Sequence, residues 1–358
     1  MKQTTNNPVM KAILDLLISQ GGSDLHLMVG IVPTIRVKGN LYPVQNVEPL
    51  VPEVAEQLIF SLVNKEQREY IITNKELDFS YEHDNGARFR VNVYHEKGNL
   101  SAALRFIPSK IKTIDELGLP PIFHQFAQYP QGLILITGPT GEGKSTSLAA
   151  IMDEINSTRA EHILTIEDPV EFVYKPNKSI ISQREVSKDT NSWDVAMRSA
   201  LREDPDVVLV GEMRDFETIA SAITIAETGH LVFATLHTAT AAQTIDRIVD
   251  VFPAHQQSQI RMQLAGTLQA VVSQRLVPKV DGNLFATFEI MLANSAVRSM
   301  IRDGKTHQLD SVIQTSSGEG MMLFEMHLAQ LIQQGTIDKE TALRKAFRPK
   351  ELLRLIGE

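Results

Sequence analysis

The chain has 358 residues, 43% of them hydrophobic and 22% charged, a composition that can bury a globular core and a length that suggests about two domains. It contains no cysteine, which excludes disulfides, thiolate zinc sites and cysteine nucleophiles and fits a reducing, cytoplasmic setting. No apolar run approaches the roughly 18 residues of a membrane span, and a net charge of −8 argues against a general nucleic-acid binder, which needs an excess of Lys and Arg.

The amino terminus, "MKQTTNNPVMKAILDLLISQ", reads as an amphipathic helix rather than a signal peptide, because Asp15 interrupts its short apolar stretch. "SDLHLMVG" (23–30) alternates as a strand. "PTIRVKGNLYPV" (33–44) reads as two short strands around a Gly39-Asn40 turn. Helical spacing follows over 52–63. Residues 76–108 then form three alternating strands, with turns at Asp84-Asn85-Gly86 and Gly98-Asn99. In "RFRVNV", Arg88, Arg90 and Asn92 share one face, and Phe89, Val91 and Val93 the other. This is the pattern of a small α+β domain over 1–108. "SKIKTIDELGLPP" ends in a Gly-Leu-Pro-Pro breaker and predicts a linker, placed at 109–117.

From 118 to 358 the pattern changes. "GLILIT" (132–137), "HILTIE" (162–167), "DVVLVGE" (206–212) and "HLVFATLH" (230–237) are apolar runs without clean alternation, as buried parallel strands are. Helical segments lie between them, at 144–156 and 218–227. The alternation predicts an α/β fold with a parallel sheet sandwiched by helices. A hairpin is expected over 276–292, turning at Asp281-Gly282-Asn283. The chain from about 295 reads as helical.

Gly138, four intervening residues and Gly143-Lys144-Ser145 fit the Walker A spacing. A chance Gly-rich turn could match too, but here a buried strand precedes the segment and a helix follows it, as a phosphate cradle requires. Gly138, Pro139, Thr140, Gly141, Glu142, Gly143, Lys144, Ser145 and Thr146 are therefore the candidate nucleotide-binding residues. Backbone amides would hold the phosphates, Lys144 would reach the β and γ phosphates, and Ser145 would meet Mg²⁺. Glu142 sits oddly in an anion cradle. The motif leaves its position unconstrained, so its side chain is expected to point to solvent.

Acids and histidines cluster at strand ends. "TIEDPVEF" places Glu167, Asp168 and Glu171 after one strand, and "DPDVVLVGEMRD" ends another in Glu212. "ETGHLVFATLHT" puts His230 and His237 at opposite ends of a third. Ligands in open parallel sheets lie beyond the carboxyl ends of the strands. Glu167, Asp168, Glu171, Glu212 and His237 are therefore expected to converge on the phosphate site, holding magnesium with Ser145 and orienting water. His230 fits less well. Each residue also has a structural reading, as a cap or a hydrogen-bonded strand end; Asp168 before Pro169 suits the first turn of a helix or a turn. Where an ordinary Walker B strand ends in Asp, this chain has Gly211, with Glu212 following.

The segments "GPTGEGKST", "TIEDPVEF", "REDPDVVLVGEMRD", "AETGHLVFATLHT" and "IDRIVDVFP" closely resemble the secretion ATPase superfamily, specifically its type IV pilus retraction ATPases. "GGSDLHL", "ARFRVNV" and "AVRSMIR" (296–302) extend the resemblance over nearly the whole chain. It implies an amino-terminal PAS-like domain, a RecA-like P-loop motor domain and a homohexameric ring that hydrolyses ATP with Mg²⁺. It also implies that Glu171 and Glu212 activate water and that His230 and His237 form the family's histidine pair. Arg88, Arg90 and Arg105 would reach the γ-phosphate, although a solvated sheet face is the plainer reading for strand arginines. The implied partners are the inner-membrane pilus platform protein and a paralogous retraction ATPase. The chain would be cytoplasmic and peripheral at the inner membrane, without inserting into it and without binding nucleic acid. An accessory retraction ATPase and a related secretion or conjugation ATPase are the alternatives. Relatives that extend pili or export protein carry a four-cysteine zinc insertion, which a cysteine-free chain cannot supply.

Overall fold

The computed structural model describes residues 7–37, 39–84, 86–107 and 110–358. Asn85 of the expected turn, Pro108 and Ser109 at the expected domain boundary, and the first six residues lie outside them. The chain divides into two compact units, residues 1–110 with 169–173, and residues 111–168 with 174–358.

The first unit comprises α1 (Pro8–Ser19), β1 (Asp24–Leu27), β2 (Thr34–Val37), β3 (Asn40–Pro43), α2 (Pro52–Phe60), α3 (Lys65–Asn74), β4 (Glu76–Glu82), β5 (Arg88–Glu96) and β6 (Asn99–Ile107). Its six strands pair in the order β3-β2-β1-β6-β5-β4, all antiparallel. α1 starts where Asn7 accepts hydrogen bonds from the Val9 and Met10 amides and Pro8 takes the first helical position. It buries Met10, Ile13, Leu14 and Leu17, a 3–4 spacing, in a core shared with Leu25, Leu27, Phe89, Val91 and Val93. The β5–β6 turn is centred on Lys97 and Gly98, both at positive φ, one residue earlier than expected.

The second unit begins with residues 111–117, most of the expected linker. These are ordered there: Ile114 is buried, and Thr113 and Glu116 exchange side-chain-to-amide hydrogen bonds. The elements that follow are α4 (Ile122–Phe126), β7 (Gly132–Thr137), α5 (Lys144–Thr158), β8 (His162–Glu167), β9 (Ile180–Glu185), α6 (Trp193–Ala200), β10 (Val207–Val210), α7 (Phe216–Glu227), β11 (Leu231–Leu236), α8 (Ala241–Asp250), α9 (Gln257–Thr267), β12 (Leu268–Pro278), β13 (Leu284–Leu292), α10 (Ser295–Arg302), α11 (Leu309–Thr315), α12 (Phe324–Gln333), α13 (Lys339–Lys345) and α14 (Pro349–Leu355). The sheet order is β13-β12-β7-β11-β10-β8-β9, parallel except for the edge strand β13. All side chains of β7, β10 and β11 are buried, which is why those strands read as continuous apolar runs.

The β12–β13 hairpin is longer than the sequence suggested, because its first strand starts at Leu268 rather than 276. Gln274 and Arg275 break the apolar pattern there. Both are accommodated: Gln274 is hydrogen-bonded in the interior, and the Arg275 guanidinium lies 4.4 Å from the Phe347 ring centre. Among the described residues no helix is long and apolar enough to cross a membrane.

Candidate active site

β7 ends at Thr137 and α5 starts at Lys144, with the loop 138–143 between them. Gly138, Gly141 and Gly143 have φ of 141°, 82° and 80°, where a side chain would be strained. Two of them are also hemmed in: a Cβ on Gly138 would lie 2.3 Å from the Gln274 carbonyl oxygen, and one on Gly143 2.9 Å from Gln274 Nε2. The first-turn amides of α5 lack intrahelical acceptors and, with the helix dipole, favour an anion at the loop. Lys144 is buried, and its ammonium donates to the carbonyls of Gly138 (2.7 Å) and Pro139 (2.9 Å). The cation is thus held over the loop.

Beside this loop, His237 follows β11 and Glu212 follows β10, the strand next to it. His237 Nε2 is 2.9 Å from Glu212 Oε1, and His237 Nδ1 is 3.5 Å from Thr140 Oγ1. Arg214 Nη2 donates to Glu212 Oε2 at 2.8 Å. Burial alone raises the Glu212 carboxyl pKa. The Arg214 hydrogen bond, with the charges of His237, Arg214 and Lys144, outweighs burial and leaves it below the ordinary value. Glu212 is accordingly ionised at neutral pH.

Gly211 explains why the acid follows the usual Walker B position. A Cβ there would stand 3.3 Å from Glu167 Cα, 3.3 Å from the Ile166 carbonyl oxygen and 3.4 Å from the Trp193 ring. The close approach of β8 and β10 leaves a side chain there tight against the β8 backbone. Glu167 is buried and accepts from Thr165 Oγ1 at 2.7 Å and Gln183 Nε2 at 3.3 Å. Asp168 is exposed and acts electrostatically on Arg214. The chain after Asp168 continues as irregular backbone, so the turn reading of Asp168-Pro169 fits and the helix-start reading does not.

Ser145 and Thr146 lie in the first turn of α5. Magnesium is usually bound by one or two protein oxygens together with substrate phosphates. Among the described residues no three His, Asp or Glu side chains form a cage for a metal ion. A Ser145 hydroxyl in the first helical turn after a glycine cradle fits an ion that arrives with its nucleotide.

The loop, Thr140, His237 and Glu212 are therefore brought together, with Glu167 at the end of the next strand and Asp168 just after it. His230 is not among them. It precedes β11 at the opposite end, where Nδ1 is 3.0 Å from both Thr228 Oγ1 and the Ile225 carbonyl oxygen. Six strand residues at about 3.3 Å each separate it from His237. Glu171 falls in the segment 169–173 that groups with the first unit. Arg88, Arg90 and Arg105 lie on that unit's sheet. Arg90 and Arg105 are directly opposite one another, and Arg105 Nε donates to Asp24 Oδ1 at 2.9 Å. The Glu142 side chain, expected in solvent, instead accepts a hydrogen bond from the Leu276 amide on β12. The loop's partners Gln274 and Ser147, and Arg214, were not singled out from sequence. "GEMRD" held a signal for Arg214, a cation two residues from the acid; Gln274 offered none.

A mostly parallel sheet with an inner strand that opens into a glycine-lined phosphate loop, with an ionised glutamate and a histidine at the adjoining strand ends, defines a P-loop nucleotide-binding protein. Residues 73–351 match the Type II/IV secretion system protein family, and the chain belongs to that family. It is 48% identical to the type IV pilus retraction ATPase PilT of Pseudomonas aeruginosa, over 94% of this chain and 98% of that protein. It is 39% identical to the type IV pilus ATPase PilU of the same organism, over 96% of this chain and 90% of that one. A crystal structure of the pilus retraction motor PilT with bound ADP superposes with a TM-score of 0.90 at 44% identity, covering 96% of this chain and 98% of that one.

Proposed function

We propose that this chain is an ATP-hydrolysing motor of type IV pilus retraction, working as a homohexamer on the pilus platform at the inner membrane. The carrying observation is the Lys144 loop set beside the Glu212–His237 pair, on a chain similar over nearly its whole length to a retraction ATPase.

The magnesium–nucleotide complex, when bound, supplies an electrophilic γ-phosphoryl group. The loop amides and the Lys144 ammonium hold the phosphate oxygens, Lys144 exchanging its present carbonyl partners for them. Ser145, Glu167, Asp168 and Glu212 are the proposed oxygen donors for the metal or its waters. Glu212 has a depressed pKa, so it is a weak proton acceptor. Its role is to orient the attacking water by accepting a hydrogen bond, while Arg214 and His237 hold both its oxygens. Glu171 is proposed as a second water-activating carboxylate. Arg88, Arg90 and Arg105 are proposed phosphate partners, with Arg90 directly opposite Arg105 on the sheet. His230 is proposed to act away from the phosphate loop of its own chain.

Hydrolysis by the purified full chain tests this reading, with Lys144→Ala as control and solution mass measured with and without nucleotide. Equal turnover in wild type and Lys144→Ala would remove it. The accessory role of a PilU-like paralogue is the second reading, favoured only by the lower similarity above. Restoring retraction in cells that lack the principal motor separates the two.

A further inference from the structure

We propose that Gln274 is a positioning residue for the nucleotide: with the Glu142 carboxylate it latches the phosphate loop to β12 and so sets the affinity for the phosphate tail. The inference rests on the nucleotide-binding reading above and adds residues outside the phosphate-loop motif.

The geometry begins with the sheet. β12 pairs with β7 only as far as Ser273 opposite Thr137, yet β12 continues to Pro278. Beyond Ser273 its β7-facing edge has no strand beside it, and the phosphate loop takes that place. The Leu276 amide donates to the Glu142 carboxylate. Gln274 is 2% exposed and uses both ends of its amide: Nε2 donates to the Glu142 carbonyl at 2.7 Å, and Oε1 accepts from Ser147 Oγ at 2.8 Å. One side chain thus ties the loop to the first turns of α5, where Ser147 is also 2% exposed. Loop and strand are so close that Gly138 and Gly143 have no room for a Cβ against Gln274.

Glu142 is therefore no misplaced charge in an anion cradle. Its carboxylate is turned away to satisfy a strand amide. A loop already fixed at unusual torsions has less freedom to lose when phosphate binds. Replacing Gln274 by leucine keeps the bulk, but strands the buried Ser147 hydroxyl and the Glu142 carbonyl and frees the loop.

The test uses the full chain with Mg-ADP as the probe, alongside steady-state ATP hydrolysis. Gln274→Leu is expected to weaken Mg-ADP binding by about tenfold or more and to raise KM for ATP in step, with kcat within about threefold, because the Glu212–His237 pair is untouched. Glu142→Ala should weaken binding about three- to tenfold, and Glu142→Gln, which keeps an acceptor for Leu276, should restore it to within about twofold. Tighter binding in Glu142→Gln would mean that the charge merely repels phosphate, and would overturn the latch. So would Gln274→Leu and Glu142→Ala binding as wild type does, or a fall in kcat at constant KM. Should Gln274→Leu fail to fold, the Glu142 pair alone decides. Wild type that binds Mg-ADP while Lys144→Ala does not keeps the nucleotide reading whatever becomes of the latch; wild type that binds none removes both.

Discussion

Two glutamates of the larger unit have opposite protonation behaviour. Glu212, after β10, has its carboxyl held below the ordinary range; Glu289, on β13, is pushed up to about 7. Burial raises both, so burial does not distinguish them. Their partners do. Glu212 faces Arg214, His237 and Lys144, all cations or potential cations, and a fifth of its side chain reaches solvent. Glu289 is fully buried; the Ala241 amide donates to its Oε1, but it shares Arg348 with Glu325 and Asp310, so one guanidinium answers three acids. The first group sits beside the phosphate loop. The second joins β13, α8, α11 and α12 to the chain before α14. Excess cation together with partial exposure sets Glu212 apart, and a shared cation with full burial sets Glu289 apart.

The sharpest test of that division is Glu212→Gln. Turnover should fall about 100- to 1,000-fold, with the melting temperature unchanged. Unfolding instead of inactivation would place Glu212 in the framework. Arg348→Ala should do the reverse: it leaves Glu325 and Glu289 buried beside Asp310 without a cation, at a cost of about 3 kcal/mol, read by denaturant titration, while turnover per folded molecule persists.

A third test uses pH. Glu289, raised to about 7, makes the protein lose stability as pH rises from about 4.5 to about 7, because the unfolded chain releases that proton first. His327 lies stacked on Phe288 and accepts the Phe288 amide at Nδ1, and burial pushes it down to about 4. Its contribution is present above about 6.5 and is lost as pH falls through about 4. Between about 4.5 and 6.5 the two slopes oppose one another. Glu289→Gln should therefore unmask stability that rises with pH over this window, and His327→Asn stability that falls. A wild-type profile unchanged by either variant would mean that neither group titrates as stated. The smallest expected effect is His230→Gln: Mg-ADP affinity should stay within about twofold, since a strand's length separates His230 from the loop, and a tenfold change would extend the site along β11.

Much of this was legible in sequence, for identifiable reasons. β7 and β8 run over the residues their apolar runs marked, because buried parallel strands need apolar side chains on both faces. Phe89, Val91 and Val93 turn inward as their alternation required. β9 escaped notice because it is a half-exposed edge strand carrying Ser182, Gln183 and Arg184. β12 was shortened because the partners of Gln274 and the ring beside Arg275 lie more than 70 positions away, which local pattern cannot reveal. Glu142 was misjudged for the same reason. The motif constrains the backbone of its loop and is silent about the strand the loop lies against.

Trp193 is the only tryptophan in the chain, and its ring edge comes within 3.4 Å of where a Cβ on Gly211 would stand, one residue before Glu212. The molecule therefore carries its own optical probe, set close to the segment that leads from β10 into Glu212. Rearrangement of that strand end during a turnover cycle should register as a change in intrinsic emission, with no label added and no other indole to dilute the signal.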